Sequence, residues 1–226
     1  MLNKFMKYEL TNETKNYDLR VLHRIKRLSD GKLGGFIENE SNLSQEGSCW
    51  VDNDAIVYGE AVVSGNAQIK DNAKVFGVAH VSDDAKVYDD AEVYCALVFG
   101  VAEVYENAKI SGNAKVYEGA LISGHAKIKD EAEVYGSAKV SDYAVIQDNA
   151  KVYESANIYE YADIYDNVEV YGYAVISGNA QLHCNTKVYD DAQICGKVNI
   201  NISANIGGET YIEDNSDFYK IKSCFE

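Results

Sequence analysis

From Val51 onward the apolar positions recur every six residues. Ala138, Ala144 and Ala150 are spaced by six, and Val134, Val140, Ile146 and Val152 keep the same beat. Each hexad opens on Val or Ile, usually followed by Tyr or Ser, then Gly or Asp, a polar residue, Ala, and a variable residue. VYGEAV begins at Val57, VSGNAQ at Val63 and ISGNAK at Ile110. Apolar positions six apart rotate around a helix and form no stripe, so a helical repeat is excluded. In extended chain, Ala and Val or Ile point inward, while the residue between them and the following Tyr or Ser point outward. The Gly-Asn, Asp-Asp and Asp-Asn pairs are turn-formers that tolerate left-handed backbone. Each hexad therefore predicts a short strand and a corner, and three corners close a triangular coil of eighteen residues. The beat runs to about Ile212, enough for about nine coils stacked at strand spacing, a prism on the order of 45 Å long. It slips once, where Ala91 and Ala96 stand five apart.

Positions eighteen apart fall in columns on the outside of such a prism. Phe99, Tyr117, Tyr135, Tyr153, Tyr171 and Tyr189 form one outward file, the candidate binding surface. Lys115, Glu133, Lys151, Glu169 and Lys187 run beside it with alternating charge. A second face carries Tyr58, Phe76 and Tyr94 and then breaks into Ser111, Lys129 and Gln147. An aromatic file can serve as an internal ladder holding parallel register, or as a flat amphipathic contact surface.

The hexads resemble the hexapeptide-repeat, left-handed parallel β-helix family, in which an aliphatic residue is followed four places later by a small one. The resemblance spans roughly residues 47–212 and implies an all-β fold. The left-handed sense comes from the family, not from the spacing. Residues 1–46 lack the beat and read as an N-terminal cap, with strands around Leu19 to Leu28 and turns through DGKLGGFIENESNLSQEG. The segment LHRIKRLSDGKLGGFIENESNLSQEGSCW resembles the leader of hexapeptide-repeat proteins of phages and bacterial genomes, often labelled acyltransferases. Residues 213–226 read as a C-terminal cap or docking tail, with Phe218, Tyr219, Ile221 and Phe225 available to cover the last coil.

Composition changes this picture in three ways. The formal charge is −15, yet residues 1–32 carry eight basic and four acidic residues, so the body is more acidic than the whole. An acidic body repels nucleic acid and membrane surfaces and attracts basic protein surfaces. Proline is absent, as suits a chain in which almost every backbone N–H is engaged. Five scattered cysteines, with no closely spaced pair, imply no disulfide and fit a reducing cytoplasm. No run approaches the length of a membrane helix, and the N-terminus lacks a signal peptide's apolar core.

The family resemblance also implies an activity to weigh. Many hexapeptide-repeat proteins are trimeric acyltransferases that use a histidine base in a cleft between subunits, beside acyl-coenzyme A. They usually carry a loop interrupting the coils and a C-terminal helix; no interrupting loop is evident here, and no helical C-terminal extension of useful length. His125, in the corner SGHA, is the lone candidate base. His23 lies in the cap, and His80, His125 and His183 sit several coils apart, too far to share a metal within one chain. The paired acids Asp83-Asp84, Asp89-Asp90 and Asp190-Asp191 occupy corners, where Asp favours the turn on its own account. No metal and no cofactor are therefore expected. The reading that follows is a non-catalytic acidic module that binds a basic protein partner. In a phage setting, that partner would be a nucleic-acid-handling or defence protein of the host. An acyltransferase and a self-associating structural module (dimer or trimer) are the alternatives.

Overall fold

The structure, a computed structural model, describes residues 6–222. The chain is a parallel β-solenoid with a triangular cross-section. Its three sheets hold twelve, ten and nine strands, close to ten coils rather than nine. Most strands are only two residues long, such as Lys151–Val152 and Asn157–Ile158, with a corner between successive strands. Register follows the eighteen-residue spacing: Glu133 pairs with Lys151, and Val134 with Val152. At the slip the spacing shortens to seventeen, so Glu92 pairs with Lys109 and Tyr94 with Ser111.

The interior is the stack that the hexads specify. Ala138, Val140, Ala144, Ile146, Ala150 and Val152 are all fully buried, in one continuous core. Burial of each Val or Ile contributes about 1.5–3 kcal/mol. Alanine stands next to the corner, where there is no room for more.

The corners show why acids recur there. Asp71, Asp83, Asp89, Glu106, Glu118, Asp130, Asp142, Asp148, Glu154, Glu160, Asp166 and Asp190 all have positive φ. Many of their carboxylates accept the backbone N–H of the equivalent corner one coil on. Glu160 N–H donates to Asp142 (3.0 Å), Gly172 N–H to Glu154 (2.9 Å) and Gly208 N–H to Asp190 (3.0 Å). The ladder leaves these donors unpaired, and the carboxylates satisfy them. Part of the chain's acidity is thus structural.

The N-terminal end is closed by an antiparallel arrangement of β1 (Tyr8–Tyr17), β2 (Arg20–Arg27) and β3 (Leu33–Ile37). β3 also pairs in parallel with Ile56–Val57, so the stack reaches back to Phe36. The Gly34-Gly35 stretch, which the sequence suggests is turn, is strand. A Cβ on Gly34 would lie 2.5 Å from the Val51 carbonyl oxygen, and one on Gly35 2.5 Å from that of Ala55. Glycine is required there by close approach of backbones, not by a turn. Buried Tyr8 donates its hydroxyl to the Leu43 carbonyl (2.7 Å), and Asn42 donates to the carbonyls of Gly59 and Ala61. At the other end, α1 (Asn215–Lys222) covers the last coil with buried Phe218, and the Asn215 side chain accepts the N–H of Asn199 (2.7 Å). Tyr219 is exposed, and Phe225 lies outside the described residues.

Candidate functional site

The cap's basic residues are spent within the cap and on the first coils beneath it. Arg20 pairs with Glu38 (2.8 Å) and lies over the Tyr58 ring, Arg24 lies over Phe36, and Arg27 over Trp50. The indole N–H of Trp50 is buried without a hydrogen-bond partner. The positive segment read from the sequence is therefore largely an intramolecular contact rather than a free basic surface.

The six-ring file forms as spaced. Ring centroids from Phe99 through Tyr189 are 4.8 to 5.4 Å apart, with planes within 12° of parallel. The rings are half-buried against one another. Their edges are tied to the charge column: Tyr117 donates to Glu133 (3.3 Å) and Tyr153 to Glu169 (3.1 Å). Burial, reinforced by these glutamates, raises the phenol pKa of Tyr117 and Tyr153 above its ordinary range. Lys115 closes on Glu133 at 2.9 Å and Lys187 on Glu169 at 3.0 Å. Burial opposes ionisation of Glu133, but the Lys115 hydrogen bond and the Lys115 and Lys151 charges outweigh it and hold the carboxyl below its usual value. For Glu169 the Lys187 hydrogen bond is the leading cause of the same lowering. Glu118, Glu154 and Asp190 stand at the corners bordering the file.

His125 sits exposed on a different edge. Its ring stacks on Tyr143 (4.8 Å), which stacks on Tyr161 (5.1 Å). Tyr143 and Tyr161 are 51% and 59% exposed, more open than the six-ring file. This corner file lies outside the pattern expected from the hexads. Its signal is a ring in the polar place before Ala, repeated eighteen residues on. The other histidines stay apart. His23 lies on β2, His80 approaches the Ser64 hydroxyl (3.0 Å), and His183 contacts the Tyr165 hydroxyl. Burial lowers the pKa of His183 and raises that of nearby Asp163, one of whose oxygens is unpartnered. No group of three or more His, Cys, Asp or Glu among the described residues could hold a metal ion. Cys49, Cys95, Cys184 and Cys195 are free thiols, and Cys224 lies outside the described residues. No described helix is long and apolar enough to cross a membrane.

The second face is longer than the sequence suggests. Tyr17 from the cap joins Tyr58, Phe76 and Tyr94, with successive centroids 5.6, 5.1 and 4.9 Å apart. Beyond Tyr94 the column continues with Ser111, and the rings stop. No protein-family model matches the chain, and no curated protein does.

Proposed function

We propose that the chain is a non-catalytic binding module, a rigid acidic prism that engages a basic protein partner. The observation that carries this reading is the pairing of a flat six-ring face with a neighbouring acidic edge, Glu118, Glu154 and Asp190. Arginine fits both halves: its guanidinium stacks on aromatic rings and pairs with carboxylates. The aliphatic-to-small hexads support the finer assignment to the left-handed hexapeptide-repeat family. The leader's resemblance to phage-borne chains supports a partner that handles nucleic acid or acts in host defence, its basic groove occupied by the prism.

The test is affinity capture in the organism that carries the chain, followed by titration against the captured protein. The partner is expected to be basic, and its affinity to fall at least tenfold between 50 and 300 mM salt. Tyr135→Ser with Tyr153→Ser, side chains that the repeat itself tolerates at Ser123 and Ser141, should weaken the complex to a similar degree. A complex indifferent to both salt and these substitutions would overturn the reading.

A further inference from the structure

The ladder Tyr17–Tyr58–Phe76–Tyr94 stops with one side uncovered. Tyr94 lies against Phe76 with ring centroids 4.9 Å apart and planes tilted by 30°, and the residue is 47% exposed. The residue in register on its far side is Ser111, too small to supply the next rung. A hollow of about 220 Å³ opens at this step, bordered by Tyr94, Ser111, Glu92, Lys109, Lys127 and Lys129. It lies where the beat slips and where the two-residue strands lengthen to three, at Glu92–Tyr94 and Lys109–Ser111.

Charge at the hollow departs from the rest of the surface. Lys109 and Lys127 are directly paired across parallel strands. Like charges in that relation oppose each other, and the Lys115-to-Lys187 column avoids it by alternation. Lys109 closes on Glu92 (2.9 Å), but Glu92 is shared with Lys74 (3.0 Å). Lys127 makes no ion pair with a carboxylate among the described residues, and Lys129, next in the column after Ser111, makes none either. Three lysines thus converge beside an open aromatic face in a chain of formal charge −15.

The geometry points to a binding site for one planar aromatic ring bearing a phosphate or carboxylate. The ring takes the rung that Ser111 leaves empty and stacks on Tyr94, continuing the ladder. The anion faces Lys109, Lys127 and Lys129. The volume is below that of ordinary drug-sized pockets, which limits the site to a single ring with its charged group. Stacking accepts any flat π-face, and lysine ammonium groups act as point charges with no fixed fork, so phosphate and carboxylate are both suited. The acidic remainder of the surface opposes a polymeric nucleic acid and leaves a small ligand. Two sources share this chemistry, a nucleoside monophosphate and a simple aromatic acid.

Saturation-transfer NMR on the full chain tests the site, with phenyl phosphate, uridine monophosphate and 4-hydroxybenzoate as probes and inorganic phosphate as a competitor. Transfer to the ring protons of phenyl phosphate is expected. Uridine monophosphate binding without 4-hydroxybenzoate would identify the nucleotide source; the reverse would identify the aromatic acid; binding of both would support the shared chemistry. Ser111→Tyr, which fills the rung with the protein's own ring, should weaken phenyl phosphate at least tenfold, as should Lys127→Gln with Lys129→Gln. Circular dichroism confirms that each variant is folded. If Ser111→Tyr does not fold, the lysine variant decides alone. The inference is overturned if no aromatic anion binds, if affinity is unchanged in the folded variants, or if inorganic phosphate competes as well as phenyl phosphate.

Discussion

A corner acid in this chain combines two properties that rarely coincide in one side chain. Asp142 holds φ at 56° and places a carboxylate oxygen 3.0 Å from the N–H of Glu160. Asparagine tolerates the left-handed region and keeps a side-chain acceptor, whereas alanine does neither. Asp142→Asn should therefore leave stability within about 0.5 kcal/mol, while Asp142→Ala should cost about 1–2 kcal/mol. Urea denaturation of the two variants against the parent checks this. Equal losses in both would mean that the charge, not the hydrogen bond, matters at the corner. The same logic separates two kinds of glycine. Gly124 serves a left-handed corner at φ 65°, while Gly34 and Gly35 are extended and answer to crowding by neighbouring carbonyls.

Between adjacent strands, the charge column sets a dependence on pH. Glu92, Glu103, Glu133 and Glu169 all have carboxyls held below the ordinary range, each beside a lysine. A lowered folded-state pKa gives stability that is full above the unfolded value, near pH 4.3, and is lost as pH falls through the folded value. Asp163, raised by burial, acts in the opposite direction, but it is one group against these four and against Asp52, Asp214 and Asp217, which are lowered as well. The melting temperature should ease downward as pH falls below about 6.5, where the lowered pKa of half-buried His183 begins to cost stability, and drop more steeply below about 4.5. Glu133→Gln with Glu169→Gln should flatten that drop in thermal melts followed by circular dichroism. The strands, the inward Ala and Val, and the six-ring file are legible in the sequence because one period fixes both burial and column. β3 is not, because the Gly34-Gly35 pair has the composition of a turn and reveals its role only when Val51 and Ala55 stand against it. The hollow below Tyr94 shows in the sequence only as a broken column. That Lys109 and Lys127 oppose each other follows from their spacing of eighteen, but that Lys109 comes up against Glu92, seventeen residues back across the slip, is left open by spacing alone.

For the whole prism, every coil is a near copy of the next, so turns can be removed as units. Excising one coil, residues 139–156, preserves every sheet but brings Glu133 against Glu169, since Lys151 is lost from between them. Excising two coils, residues 139–174, brings Glu133 against Lys187 and restores alternation. Both variants should fold. At neutral pH the shorter one should melt at the higher temperature, against the usual gain of stability with repeat number. Differential scanning calorimetry on the pair gives the answer, and a lower melting point for the two-coil excision would show that column charge is immaterial. The ladder bonds run along the long axis, and the two caps close opposite ends. Tension applied between those ends therefore bears on one ring of bonds at a time, never on all of them together. The molecule resists a squeeze across its walls far better than a pull along its length, and a steady pull on the tail would pay out thread one triangle after another, as yarn leaves a spool.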